Sequence, residues 1–257
     1  MLILATNDDG VYSPGLKILA NALKHLGDVW VVAPDRERSA VSHSLTLHRP
    51  LLVEEVMERV YSVNGTPTDC VNVAVHGILP ERPGLVVSGI NKGGNLGDDV
   101  TYSGTVSAAL EAAIMGIPAI AVSMAAREDF LFQTGADYAA RLAGQVIRDG
   151  LKKDTLLNVN VPNIGPDKIK GVKITRQGRR VYGGSVLSRI DPRGKKYFWI
   201  GGDTDNWVKD PLADHEAVKA GYISVTPLTL DLTDHGYLDK IKGWEGILTP
   251  DKSSLSF

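Results

Sequence analysis

The sequence lacks several features that would assign it to a special class of protein. It has a single cysteine, Cys70, so no disulfide can form within the chain. No apolar run reaches the roughly 18 residues of a membrane-spanning helix, and the start turns acidic too early for a signal peptide. With 28 lysines and arginines against 30 aspartates and glutamates, the net charge is −2. We therefore expect a cytoplasmic enzyme or binding protein whose main partner is neither a membrane nor a nucleic acid.

Several familiar phosphate, cofactor and metal signatures are also missing. No Gly-Lys-Ser/Thr sequence of a P-loop occurs, and the dinucleotide pattern Gly-x-Gly-x-x-Gly fails because Lys92 stands at its first glycine. Covalent aspartyl phosphatases separate two aspartates by one residue after their first strand, whereas Asp8 and Asp9 are adjacent. The six histidines are scattered without zinc-ligand spacing. A nicotinamide enzyme, a zinc enzyme and a simple copy of the aspartyl phosphatase site are therefore disfavoured.

Short apolar runs alternate with helical patterns through the first 160 residues of the chain. The runs are rich in Val, Ile and Leu without polar alternation, which is typical of parallel strands covered on both faces. They lie at residues 2–6, 29–33, 85–89, 119–123 and 156–161, and helices are expected at residues 14–26, 103–115 and 138–147. Strands that alternate with such helices predict an α/β fold with a doubly wound, mostly parallel sheet.

The pattern changes after residue 162, so we divide the chain into a core of residues 1–162 and a smaller α+β extension of residues 163–257. Residues 45–63 predict an antiparallel strand pair. Gly183-Gly184, Gly201-Gly202 and the apolar run before the second pair indicate hairpins. A helix near residues 212–220 and a strand at 222–225, which could return to the core, follow. Apolar residues at positions 237, 238, 241, 244 and 248 predict a helical stripe that buries against its own core or a partner.

Polar residues concentrate in loops at the predicted strand ends. Asp8 and Asp9 follow the first strand, Ser39 lies beyond the second, and Asn91 and Asn95 follow the third. Because the carboxyl ends of parallel strands meet at one edge, we expect these loops to converge. Carboxylate, hydroxyl and amide oxygens are hard ligands that suit Mg²⁺, Mn²⁺ or Ca²⁺. The alternative for the paired aspartates is an ordinary Asp-Gly turn before a solvated helix N-terminus.

The segment Ser103-Gly104-Thr105 begins a predicted helix. Free backbone N–H groups and the positive end of the helix dipole make such a start an anion site, and small side chains let a phosphate approach. The alternative is a plain serine N-cap, which is common at helix starts. Beside a cation held by carboxylates, however, phosphate would be a ligand shared by the metal and the helix terminus.

At these loops the sequence resembles the SurE family of stationary-phase survival proteins, which are metal-dependent nucleotidases. Six stretches carry the resemblance in family order: Thr6-Asn7-Asp8-Asp9-Gly10, Pro34-Asp35-Arg36-Glu37-Arg38-Ser39, Val63-Asn64-Gly65-Thr66-Pro67-Thr68-Asp69-Cys70, Ser88-Gly89-Ile90-Asn91 through Gly94-Asn95, Tyr102-Ser103-Gly104-Thr105-Val106 and Ser224-Val225-Thr226-Pro227-Leu228. Any one of them could arise by chance, whereas six in order are specific.

The resemblance implies a Rossmann-like core and a set of site residues. It puts the metal ligands on Asp8, Asp9, Ser39 and Asn95, and the phosphate contacts on Ser103, Gly104 and Thr105 with Asn91 beside them. Asp8 and Asp9 are the candidate catalytic residues. One divalent cation per subunit is expected, Mg²⁺ or Mn²⁺, with Ca²⁺ as another possible occupant.

The implied reaction is hydrolysis of nucleoside monophosphates, 5′ and in some members 3′, to nucleoside and phosphate, with short polyphosphate as a further substrate. The family also implies a homodimer or homotetramer joined through the C-terminal part. We assign Asp8 a second role as general base, with a nucleophilic Asp8 as the alternative. Two rival functions remain open: a regulator that binds nucleotides without turning them over, and a metal-dependent glycosyltransferase-like enzyme, for which no aromatic platform is evident.

Overall fold

A computed structural model describes residues 1–181, 186–200 and 206–248. The strands are β1 (Leu2–Thr6), β2 (Asp28–Pro34), β3 (Val53–Met57), β4 (Val60–Val63), β5 (Leu85–Lys92), β6 (Ala119–Ala125), β7 (Thr155–Pro162), β8 (Val172–Ile174), β9 (Val186–Ile190), β10 (Lys196–Ile200) and β11 (Ile223–Thr229). The helices are α1 (Pro14–Leu23), α2 (Pro67–Val73), α3 (Gly104–Ile114), α4 (Phe132–Asp149), α5 (Asp214–Lys219), α6 (His235–Ile241) and α7 (Trp244–Leu248).

Nine of these strands form one sheet in the order β3-β4-β2-β1-β5-β6-β7-β11-β8. The six strands from β4 to β7 run parallel to one another, while β3 and β11 are antiparallel to their neighbours β4 and β7. The predicted α/β fold with a mostly parallel sheet is therefore confirmed. All six parallel strands end at one edge, which we call the carboxyl edge, and the loops that follow them meet there.

Helices cover both faces of the sheet. On one face α1 and α4 pack against the strands, with Leu19 and Ala136 in the same buried cluster as Val87. On the other face α2 and α3 place Cys70 and Ala109 in a second cluster. Cys70 is a free, buried thiol. Burying a leucine or valine side chain contributes about 1.5–3 kcal/mol, so both clusters stabilise the packing of the helices on the sheet.

Three elements differ from their sequence-based predictions. Helix α4 begins at Phe132 rather than residue 138, because Gly135 lets its first turn approach β6; an added Cβ there would lie 2.8 Å from Met124 Sδ. The antiparallel pair predicted within residues 45–63 is present as β3 and β4. Residues 45–52 form no strand, since Thr46 donates its backbone N–H and its hydroxyl to Asp69. The expected continuous stripe after residue 236 is instead two short helices, α6 and α7, with Gly243 between them.

The C-terminal part contributes to the main sheet and also forms a separate ribbon. Strand β11 lies between β7 and β8, whereas β9 and β10 form the predicted hairpin. The glycine pairs 183–184 and 201–202 lie outside the described residues. The division of the chain at residue 162 stays a prediction. Within the described ranges, no helix has both the length and the apolar character required to cross a bilayer.

Candidate active site

Asp8 and Asp9 lie in the turn after β1, at the centre of the carboxyl edge. The Asp8 side chain is buried, with the residue 4% exposed, and Thr105 Oγ1 donates a hydrogen bond of 2.5 Å to its Oδ1. Gly104 permits this approach, because an added Cβ at that position would lie 2.8 Å from Asp8 Cβ. The turn of the two aspartates is therefore packed directly against the N-terminus of α3.

Asp9 faces the C-terminal end of β5 instead of α3. Its Oδ2 accepts a hydrogen bond of 3.3 Å from the Lys92 backbone N–H, and its Oδ1 lies 3.8 Å from Lys92 Nζ. Asn91 was expected in the loop after the third strand but lies inside β5, which continues to Lys92 because residues 91 and 92 still pair with β6. Its Nδ2 donates to the Gly93 carbonyl at 2.8 Å. The two neighbouring carboxylates therefore contact different elements, Asp8 the start of α3 and Asp9 the end of β5, so β1, β5 and α3 together build the site.

Both carboxyls are poorly solvated. Burial raises the pKa of Asp8 from 3.8 to about 6; the hydrogen bond from Thr105 opposes this shift and the charge of Asp9 adds to it. Burial also raises the pKa of Asp9, which the Lys92 ammonium lowers and Glu37 raises further. Ionising both groups is unfavourable, because two neighbouring carboxylates repel each other and neither is well solvated. A bound cation would remove that penalty.

Ser39 lies in the loop of residues 35–52, which follows β2 and which we call the 35–52 loop. The loop is tied to the aspartate turn because the Arg38 backbone N–H donates to the Asp8 carbonyl at 2.7 Å. The Ser42 N–H donates to the Tyr102 carbonyl at the entry to α3. The Ser39 side chain itself is exposed and donates to a Glu37 carboxylate oxygen at 2.7 Å. Ser39 therefore lies at the carboxyl edge, with its hydroxyl bound to a neighbour in its own loop.

Asn95 is buried in the loop after β5. Its side-chain Nδ2 donates to Ser123 Oγ at 2.8 Å, and its backbone carbonyl accepts from Asn158 Nδ2 at 2.8 Å and from Asn160 Nδ2 at 3.0 Å. Among the described residues, its Oδ1 accepts no hydrogen bond. That oxygen is therefore the part of the amide that remains available to a ligand.

The hydroxyl groups of Ser103 and Thr105 at the start of α3 already form hydrogen bonds within the protein. Ser103 is the N-cap, and its Oγ accepts from the Val106 N–H at 3.1 Å. Thr105 is bound to Asp8, as described above. A phosphate at this terminus would therefore be bound through backbone N–H groups around Gly104, which has no side chain to block an approach. The contacts of Ser103, Gly104, Thr105 and Asn91 with phosphate stay predictions.

Sequence reasoning missed a second set of polar residues behind the site. Asn158 and Asn160 are fully buried on β7, and Glu111 on α3 binds His43 Nε2 and Asn72 Nδ2 at 2.6 Å each. The asparagines alternate with apolar residues in Leu156-Leu157-Asn158-Val159-Asn160-Val161. Amides inside a strand that is otherwise apolar could have been recognised, because a buried amide needs a hydrogen-bond partner. The Glu111 contacts join residues 39 and 68 positions apart, and no local pattern reveals them.

The donor set fits a hard divalent cation. No cluster of three or more His, Cys, Asp or Glu side chains suited to a metal occurs in the described part of the chain. The candidate ligands are instead two carboxylates with amide and hydroxyl oxygens, the kind of set that Mg²⁺ or Mn²⁺ takes together with water. The buried Asn7 Oδ1 beside the aspartates also finds no hydrogen-bond partner among the residues that the structure describes.

Comparison with known proteins gives a consistent result. The family model described as survival protein SurE matches residues 3–184. The "5′-nucleotidase SurE" of Geobacter sulfurreducens is 55% identical over 95% of this chain and 94% of its own length. That of Geotalea uraniireducens is 52% identical over 95% and 99%. The crystal structure of the SurE protein from Aquifex aeolicus superposes with a TM-score of 0.88 at 47% identity, covering 95% of this chain and all of that one. The chain belongs to the SurE family.

Proposed function

We propose that the protein is a divalent-metal-dependent nucleotidase that hydrolyses nucleoside monophosphates to nucleoside and phosphate. The observation that carries this proposal is the contact between Asp8 and the first turn of α3, where Thr105 Oγ1 lies 2.5 Å from the carboxylate. This contact puts a group that attracts cations beside a terminus that attracts anions. A phosphomonoester bound to a divalent cation matches both.

The cation would be held by Asp8, Asp9, Ser39 and Asn95, one Mg²⁺ or Mn²⁺ per subunit, with Ca²⁺ as another occupant. When bound, it supplies Lewis-acid neutralisation of the phosphate charge. Ser39 would turn its hydroxyl away from Glu37 to join this set. The backbone N–H groups around Gly104, together with Asn91, would orient the remaining phosphate oxygens, where charge is spread in the transition state.

We assign Asp8 the role of general base. It is the more buried of the two aspartates and lies against the helix terminus that would hold the phosphate. Its carboxylate takes a proton from a water molecule whose oxygen forms the new bond to phosphorus. The bond between phosphorus and the nucleoside oxygen breaks, and that oxygen keeps the bonding electrons and takes up a proton, so that the nucleoside leaves as an alcohol. A nucleophilic Asp8 that forms an aspartyl phosphate is the alternative. Rapid quench with labelled substrate separates the two, because acid-stable label on a peptide containing Asp8 would favour the covalent route.

The experiment that tests the activity is phosphate release from a panel of substrates, with and without a chelator. The panel contains 5′- and 3′-nucleoside monophosphates and short polyphosphate, since the site geometry does not rank them. We expect release from the 5′-monophosphates that stops with chelator and returns with Mg²⁺ or Mn²⁺. Full activity in metal-free protein would exclude the metal mechanism. Nucleotide binding without release would favour the regulator, and transfer of a sugar from a nucleotide donor would favour the glycosyltransferase-like enzyme.

We further propose that the C-terminal part joins subunits into a homodimer or homotetramer. Helices α6 and α7 bury none of their residues, although they carry Tyr237, Leu238, Trp244, Ile247 and Leu248. The ribbon of β9 and β10 likewise exposes Leu187, Phe198 and Trp199. Exposed apolar side chains in such number are typical of an interface with another chain.

A further inference from the structure

Three fully buried polar side chains converge on Asn95 from two neighbouring strands. Ser123 lies near the end of β6, and Asn158 and Asn160 lie on β7. Ser123 Oγ accepts from Asn95 Nδ2 at 2.8 Å, and both asparagine amides donate to the Asn95 carbonyl. Asn160 Oδ1 also accepts the Asn95 backbone N–H at 2.8 Å. Four hydrogen bonds therefore fix this one residue of the loop.

The hydrogen bonds to Asn95 are not ones that a parallel sheet requires in order to be stable. Central positions of a parallel sheet are ordinarily apolar, and an amide there costs free energy unless it is hydrogen-bonded. Asn158 and Asn160 donate their side-chain N–H groups to Asn95, in the loop that follows a different strand, β5. Asn95 is 63 and 65 residues away from them in the sequence. The loop is held again two residues later, where the Gly97 N–H donates to the buried Asp214 at 2.8 Å.

We propose that Ser123, Asn158 and Asn160 are positioning residues that hold Asn95 in the orientation needed to bind the cation. The two asparagines fix the Asn95 backbone. Ser123 Oγ accepts the hydrogen bond from the amide nitrogen Nδ2 of Asn95, which leaves the amide oxygen Oδ1 to bind the metal. Held in this way, a neutral amide loses little freedom when it binds the cation. This inference rests on the proposed metal site and adds residues that do not themselves touch the metal.

The test compares two serine-to-alanine variants of the full chain. Ser123→Ala removes the partner of Asn95 Nδ2. Ser224→Ala, on β11, removes an equally buried hydroxyl whose hydrogen bond of 2.8 Å goes to Thr175 instead. Mn²⁺ binding to protein freed of metal is measured by electron paramagnetic resonance or calorimetry, without substrate. We expect about tenfold weaker binding for Ser123→Ala and unchanged binding for Ser224→Ala, because outer partners of metal ligands typically change affinity by 10–100-fold.

Melting temperatures in chelator accompany the binding data and separate positioning from general loss of stability. Each variant loses one buried hydrogen bond, so the melting temperature of both should be slightly lower than that of the wild type. Asn160→Ala removes two contacts and should weaken Mn²⁺ binding more than Ser123→Ala; if it does not fold, the serine pair still decides. Two results would overturn the positioning role and leave the metal site standing. They are equal Mn²⁺ affinity of Ser123→Ala and wild type, and equally weakened Mn²⁺ binding in both serine variants. A wild-type protein that binds no Mn²⁺ would overturn the metal site as well.

Discussion

The carboxyl edge and the C-terminal helices use their side chains in opposite ways. At the edge, polar groups such as Asp8 and Asn95 are buried and hydrogen-bonded to residues that are distant in the sequence. In α6 and α7, apolar groups such as Trp244 and Ile247 are exposed. Burial of polar groups at a site and exposure of apolar groups at a surface both cost free energy. We therefore expect the first region to bind a ligand and the second to bind a protein partner.

This difference separates the expected effects of mutations. A change at the carboxyl edge should alter ligand binding while the assembly stays intact. A change in α6 or α7 should alter the assembly while each core stays folded, since the buried clusters of the sheet contain no residue from these helices.

The largest effect is expected for Asp9→Asn. This substitution removes a proposed metal ligand and keeps the shape of the side chain, so cation affinity and phosphate release should fall by roughly a hundredfold or more. Asp137→Asn, which changes an exposed carboxylate on α4, serves as the control. Sedimentation mass should be unchanged in both variants. An Asp9→Asn protein that retains metal-dependent turnover would remove Asp9 from the ligand set.

The next effect is on assembly. Truncation before Gly236 removes α7 and all of α6 except its first residue, His235. It should lower the sedimentation mass to one subunit, or weaken association strongly, with the core still folded. A point variant sharpens the test, because Ile247→Asp places a charge where the residue is 79% exposed, and Leu47→Asp does the same at 78% exposure in the 35–52 loop. We expect the change at Ile247 to weaken association and the one at Leu47 to leave it unchanged. Full oligomer mass after truncation would place the interface elsewhere.

The sequence predicts the strands around the site better than the contacts that build it. Strand β1 has its predicted bounds, because a buried parallel strand is encoded by a local apolar run. The convergence of Asp8 and Asp9 with Asn91 at one edge follows from parallel topology. The bond between Asp8 and Thr105 spans 97 residues, and no local pattern encodes it. The break between α6 and α7 was missed for a related reason, since helical spacing alone does not show where a helix without buried contacts ends.

A smaller effect concerns stability without metal. Because burial raises the folded pKa of Asp8 from 3.8 to about 6, the folded protein holds that proton more tightly than the unfolded chain does. Stability is therefore lost as pH rises from about 4 through 6, by about 2–3 kcal/mol. Asp8→Asn avoids this cost and keeps an oxygen for Thr105. In chelator, its melting temperature should match that of the wild type near pH 4 and exceed it increasingly up to pH 7. A constant difference across this range would contradict the raised pKa.

The smallest effect is expected at Glu111, which ties the 35–52 loop to α3 through His43 at 2.6 Å. The hydrogen bond from His43 lowers the pKa of Glu111 below 4.5, with burial opposing it and Asn72 adding to it. The ionised carboxylate therefore stabilises the fold at neutral pH, and this contribution is lost as pH falls through the lowered folded pKa. Glu111→Gln turns one acceptor into a donor, so we expect a loss of about 1–2 kcal/mol at pH 7.

Chemical denaturation at pH 7 and below pH 4 measures this contribution, with Glu81→Gln as the exposed control. The gap between wild type and Glu111→Gln should narrow as the pH is lowered. The Asp8→Asn gap should narrow over the same direction of pH, but with the opposite sign, because Glu111→Gln is less stable than the wild type and Asp8→Asn is more stable. Since the 35–52 loop carries Ser39, Mn²⁺ affinity should fall modestly in Glu111→Gln and not in Glu81→Gln. A stability gap that is the same at both pH values would show that shape alone, and not the charge of Glu111, holds the loop against α3.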